Sequence, residues 1–269
     1  MLTYDALVEQ AKVRGMPAGK MRGILREYLQ VLILKEIYKT DAGRMLYFTG
    51  GTYLRLVHGL KRFSEDLDFN TDKITKNDFE SILKKVKLEL SRLNIDSEVK
   101  FEHWKEIYSA KLILPDIEKN YNVISKYSKK AGIIIKVETN RPKWKIKKES
   151  LVVSGFGEIY PCICTDSGAL FADKIDALDK KGRARHLYDI IFMLANKYPI
   201  DKAVLSVLNI EGDPLETIIK TVERFSAAEL KKQAESLRPF LFEESEADLI
   251  INAHRIIPSM VSKYRNFIP

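Results

Sequence analysis

Residues 47–70 read YFTGGTYLRLVHGLKRFSEDLDFN, and the fold turns on how this stretch is read. The apolar run over residues 45–48 predicts a short buried strand. Gly50 and Gly51 break the run, and Thr52 follows, polar and able to cap what comes next. Leu54 and Val57, one turn apart, predict a helix over 52–58, which Gly59 ends as a C-cap would. Past Lys61 and Arg62, Glu65-Asp66-Leu67-Asp68-Phe69 alternates polar and apolar with the period of a strand. Asp66 and Asp68 then share one face while Leu67 and Phe69 pack behind it.

Two carboxylates held side by side repel one another unless a cation lies between them. Hard oxygen ligands of this kind suit Mg²⁺, which takes one or two carboxylates together with waters and substrate phosphates. The glycine turn and helix start upstream offer backbone N–H groups to a phosphate. Gly-Gly alone, or Asp-x-Asp alone, reads as a surface turn or an acidic edge strand. Their order and spacing favour a phosphate cradle (Gly50, Gly51, Thr52) joined by one helix to a metal-binding pair (Asp66, Asp68).

Gly-Gly-Thr followed by Arg-Phe-Ser-Glu-Asp-Leu-Asp-Phe resembles the first motif of the AbiEii/AbiGii toxin nucleotidyltransferases, within the DNA polymerase β-like superfamily. The resemblance implies an α+β fold: a small mixed sheet with flanking helices, then a helical C-terminal region. It also implies transfer of a nucleoside monophosphate from an NTP with two Mg²⁺ ions. Arg62 and Ser64 then fall at the nucleotide, supporting the loop. Such sites need a third carboxylate, which in that superfamily comes from a later strand beside the Asp-x-Asp strand. Glu138, at the end of the β-branched run Ile133–Thr139, is the candidate; the competing reading is a strand-end glutamate paired to Lys136 or Arg141.

At 269 residues the chain is long enough to bury a real core, and its 45% hydrophobic and 30% charged composition is that of a globular protein. No stretch approaches the roughly 20 apolar residues that span a bilayer, and the acid-bearing N-terminus MLTYDALVEQ does not read as a signal peptide. Cys162 and Cys164 sit too close for an easy mutual disulfide and lack zinc-spaced partners. They read as reduced, semi-buried strand residues of a cytoplasmic protein. The net charge of +8 is concentrated between residues 126 and 148, where nine Lys or Arg face one acid. With Tyr127 and Trp144 interleaved, this tract predicts a phosphate-backbone surface with stacking groups, drawn chiefly from Arg141, Lys143, Trp144, Lys145, Lys147 and Lys148. A solvated lysine-rich face is the plainer alternative.

Helical spacing predicts helices over 3–14, an amphipathic 20–39, and 77–93, with strands over 95–104 and 107–114. His58 and His103 read as partly buried structural histidines. Residues 115–130 read as a loop with a short helix, and 151–164 as an edge hairpin turned at Gly155 and Gly157. From Thr165 onward helices dominate (167–180, 184–197, 201–208, 214–224, 227–237, 246–264), which divides the chain into a core domain, 1–165, and a helical domain, 166–269. Within the second, Asp173 to Leu178 and Arg183 to Asp189 resemble the family's Lys-x-x-Ala-Leu and Arg-Asp-x-x-Asp helices. That likeness makes Lys174 a ligand of the NTP phosphates and Asp189 a member of the catalytic set. His186 departs from it, standing where the family has Asp.

The combined expectation is a Mg²⁺-dependent toxin nucleotidyltransferase with an RNA acceptor, such as a tRNA 3′ end, and a cognate antitoxin. Transfer to a protein hydroxyl, or an inactive RNA- or protein-binding module, are the rival readings.

Overall fold

The computed structural model describes residues 1–123 and 132–267. The tract residues Lys126, Tyr127, Lys129 and Lys130 lie outside the described residues. The chain forms two compact units, one of Met1–Gly59, Phe63–Pro142 and Lys148–Thr165, the other of Leu60–Arg62, Lys143–Lys147 and Asp166–Pro269.

The first unit is built on one seven-stranded mixed sheet. Its elements in chain order are α1 (Tyr4–Val13), α2 (Met21–Tyr38), β1 (Tyr47–Thr49), α3 (Gly50–His58), β2 (Leu67–Asn70), α4 (Lys76–Arg92), β3 (Glu98–Phe101), β4 (Ser109–Leu114), α5 (Ile117–Asn120), β5 (Ile133–Asn140), β6 (Lys148–Gly155) and β7 (Glu158–Thr165). The strand order is β3-β4-β5-β2-β1-β7-β6. β2 lies central, antiparallel to β1 and parallel to β5. β1 runs parallel to β7, so of the expected hairpin only β6 is an edge.

Alternation decides which face is core. Leu67 and Phe69 of β2, Ile133, Ile135 and Val137 of β5, and Ala110, Leu112 and Leu114 of β4 are all buried. Helix α2 packs against β5, β6, β7 and α4. It is not the amphipathic helix its spacing suggests: twelve of its residues are buried, Glu27, Gln30 and Glu36 among them. A helix enclosed by other elements needs no solvent stripe, and its buried carboxylates need partners instead. Glu27 takes Arg55 Nε at 2.9 Å and Arg14 at 3.3 Å. α4 opens with a capping box between Thr75 and Asp78. Cys162 and Cys164 are free thiols and fully buried rather than semi-buried.

Two local expectations around β1 change. The strand starts at Tyr47, after a 3-10 turn over Ala42–Met45. The helix starts at Gly50 with Thr49 in the cap position, so Thr52 is not its cap. Thr52 is fully buried, and its hydroxyl donates to the Asp66 carbonyl.

The second unit is helical: α6 (Ser167–Lys181), α7 (Ala184–Ala195), α8 (Lys202–Val207), α9 (Pro214–Glu223), α10 (Ala227–Leu237), α11 (Asp248–Ile251) and α12 (Ala253–Arg265). Asp166, Asp201, Asp213 and Ser226 cap four of these through their side chains. The single helix expected over 246–264 is divided at Asn252, and Pro258 is accommodated inside α12. Arg62 bridges Leu241, joining the short segment Leu60–Arg62 to the stretch between α10 and α11. Among the described residues, no helix is long and apolar enough to cross a membrane.

Candidate active site

The acidic site belongs to the first unit and is a product of strand register. Asp68 pairs Thr49 on one side and Glu138 on the other, and Glu138 in turn pairs Ser109. One row across β4, β5, β2 and β1 therefore reads Ser109, Glu138, Asp68, Thr49. Asp66 stands one position before β2, beside the row of Lys136, because Leu67 pairs Val137. Asp68 thus faces away from the buried Leu67 and Phe69, and the alternation, continued one residue back, sets Asp66 on the same side.

Three contacts fix the backbone around them. Thr52 of α3 holds the Asp66 carbonyl. Gln30 of α2 donates to the Ser64 carbonyl at 3.0 Å, and Arg26 pairs with Glu65 at 2.6 Å. The buried polar face of α2 thereby anchors the loop that delivers Asp66.

Gly50 is the second half of the site. Its φ is +81°, and a Cβ there would lie 2.5 Å from Oδ2 of Asp68. Only glycine permits both that conformation and that approach. The Gly-Gly turn and the Asp-x-Asp strand are consequently in direct apposition, with Gly51 buried in the first turn of α3.

Glu138 does not stand free. Lys136, two residues earlier on the same face of β5, donates to its carboxylate. Burial acts to lower the Lys136 pKa. The bonded Glu138, with the nearby Asp66 and Asp68 charges, outweighs burial and raises it. The pairing offered by the sequence as the alternative for Glu138 is thus present in the same structure that sets Glu138 beside Asp68. Lys136 was legible only as that partner. The alternation in Ile134-Ile135-Lys136-Val137-Glu138 already put the two on one face. Among the described residues, no three Asp, Glu, His or Cys side chains are gathered as an ion-holding group.

The second constellation lies within the helical unit. Asp189 of α7 is fully buried and accepts from Arg62 Nε at 2.8 Å, from its terminal nitrogen at 2.9 Å, and from Lys174 Nζ at 2.7 Å. Burial alone would push the Asp189 carboxyl up. Arg62 and Lys174 outweigh it and hold the pKa at about 2. Arg62, expected beside the nucleotide as a loop support, is bonded to this carboxylate. Sequence distance hid the pairing, since Arg62 and Asp189 are 127 residues apart. His186 is buried beside them, and among the described residues neither ring nitrogen has a hydrogen-bond partner. Burial, then the Lys174 charge, lower its pKa to about 3, so the ring is neutral near pH 7.

The basic tract separates on folding. Trp144 is not a stacking group: it is only 9% exposed and packs with Ala169, Ala172, Val204 and Leu205 in the core of the helical unit. A large apolar ring gains more from that burial than from solvent. Arg141 donates to the Ile74 carbonyl at 2.6 Å, and Lys147 pairs with Asp201 at 2.7 Å. Lys143, Lys145 and Lys148 are exposed, the last with its ammonium 5.3 Å from the Tyr47 ring centroid.

The family model described as nucleotidyl transferase AbiEii toxin, type IV toxin–antitoxin system, matches residues 32–250. The chain belongs to that family. An AbiEii protein is a toxin nucleotidyltransferase, which implies an NTP substrate and an antitoxin partner, and the inactive binding module is thereby set aside. The expected α+β fold also holds, with a mixed sheet followed by a helical region. MenT4, a nucleotidyltransferase toxin from Mycobacterium tuberculosis H37Rv, superposes with a TM-score of 0.60 at 18% identity over 99% of this chain and 93% of that one. JHP933 from Helicobacter pylori superposes with a TM-score of 0.57 at 16% identity over 91% of this chain and 94% of that one. These likenesses are of fold. No curated protein sequence matches this AbiEii chain.

Proposed function

We propose that this AbiEii protein transfers a nucleoside monophosphate from an NTP to the 3′ end of an RNA, tRNA foremost, with Mg²⁺ bound at Asp66, Asp68 and Glu138. The observation that carries the proposal is the seat of Asp68, in register between Thr49 and Glu138 and against the Cβ-free face of Gly50. The donors present suit Mg²⁺, being carboxylates on one sheet face beside a glycine turn at a helix start. The ions would neutralise phosphate charge as the acceptor hydroxyl displaces pyrophosphate. The chain's own groups bind and orient. Gly50, Gly51 and Thr52 form the turn on which a phosphate rests, with Thr52 fixing the Asp66 backbone. Around Asp189, the two cations Arg62 and Lys174 meet a single carboxylate. Lys174, a point charge on a flexible stem, is the group assigned to the triphosphate, with Asp189 as its positioning partner.

The RNA acceptor rests on the net charge of +8 and on the exposed Lys143, Lys145 and Lys148. Incubation with each labelled NTP, Mg²⁺ and bulk tRNA, or with a protein extract in place of tRNA, tests the reading. Label on RNA is expected, and label on protein alone would replace the acceptor. Label transfer that survives Asp66→Ala combined with Asp68→Ala would remove the mechanism.

A further inference from the structure

The acidic face carries a cation of its own. Lys136 and Glu138 are successive residues on one face of β5, and β5 runs parallel to β2 in the register that puts Glu138 beside Asp68 and Lys136 beside the place of Asp66. The Lys136 ammonium is bonded to Glu138 Oε2, and the register sets it beside the place of Asp66 and one row from Asp68. The two side chains keep only about a third of their surface exposed, 37% for Lys136 and 34% for Glu138. An ammonium there relieves repulsion among three carboxylates, the same electrostatic work a divalent ion would do. It does so on Oε2 of Glu138, one of the two oxygens a metal ion would use, and its charge repels an incoming cation.

We propose that Lys136 is a positioning residue that holds Glu138 away from metal, so that an ion gains the third carboxylate only in competition with the ammonium. The proposal rests on Asp66, Asp68 and Glu138 being the metal ligands. Its physical content is a competition. The free enzyme holds ions through Asp66 and Asp68, and the Lys136 ammonium on Oε2 competes with an ion for the charge of Glu138. Removing the ammonium while keeping an unbranched apolar stem therefore strengthens metal binding, whereas removing an aspartate weakens it. Arginine at position 136 keeps a cation able to bond a carboxylate and keeps the competition.

The test is Mn²⁺ binding to the full chain without nucleotide, read from the electron paramagnetic resonance signal of free Mn²⁺. Lys136→Met is expected to tighten Mn²⁺ binding about fivefold, the equivalent of about 1 kcal/mol, the upper end for a partly exposed ion pair. Lys136→Arg is expected to bind as the unaltered protein does. Lys136→Gln, polar and neutral, serves in the same role if the methionine variant does not fold. Unchanged Mn²⁺ affinity in the neutral variants overturns the proposal for Lys136. Unchanged affinity in Asp66→Ala combined with Asp68→Ala overturns the metal reading of the acids, whatever Lys136 does.

Discussion

Replacing His186 by leucine isolates the electrostatics of the buried Arg62–Lys174–Asp189 cluster. The ring is only 8% exposed, and its pKa falls from the ordinary 6.5 to about 3 because burial, then Lys174, disfavour a second charge there. As pH falls, the unfolded chain takes up this proton first. Stability is therefore highest above about pH 6.5 and declines steadily until about pH 3, where the folded ring also protonates. At pH 5 the unfolded histidine has gained about 1.5 pH units of protonation, so the folded state has lost about 2 kcal/mol from this site alone, at 1.36 kcal/mol per unit. Leucine cannot titrate. Urea unfolding at about pH 7 and about pH 5 should show the unaltered protein losing about 2 kcal/mol more than His186→Leu between the two conditions. Near pH 7 the leucine variant should be as stable or more stable by about 1 kcal/mol, since two buried nitrogens without partners are removed. Equal losses in the two proteins would refute the claim that the ring is kept neutral by its surroundings.

Two further substitutions probe the two units separately. Gly50→Ala forces a side chain into a left-handed backbone and against Asp68 Oδ2. Melting should fall by about 2–4 °C for a strain near 1 kcal/mol, while label transfer drops about a hundredfold because Asp68 is moved; retained activity would dissociate the turn from the acid. Trp144→Ala should cost about 3–5 kcal/mol of stability with little change in RNA affinity, measured by melting and by filter binding below the transition. Lost RNA affinity with stability intact would return Trp144 to a stacking role.

The local devices were readable before folding because each depends on near neighbours. Gly59 ends α3 at φ +77°, and Leu67 and Phe69 turn inward while Asp68 turns outward, as the period of two requires. The core helices of the C-terminal half announced themselves through apolar spacing. What failed depended on neighbours distant in sequence. A helix with buried Glu27, Gln30 and Glu36 looks amphipathic until the elements enclosing it are known. Trp144 lies among lysines in sequence and among Ala169, Val204 and Leu205 in space. Arg62 precedes the acidic motif by four residues, yet its guanidinium meets Asp189.

By itself, then, the sequence settled the family, the α+β character and the shared face of Asp66 and Asp68, because motif order and side-chain alternation are properties of the chain. Which strand lies beside β2, and so which acid and which lysine come against Asp68, was decided only by tertiary structure. Strand pairing is a choice among distant segments, made by burial of Leu67, Phe69, Ile135 and Val137 on a common face, and that choice carries Glu138 and Lys136 to the site together.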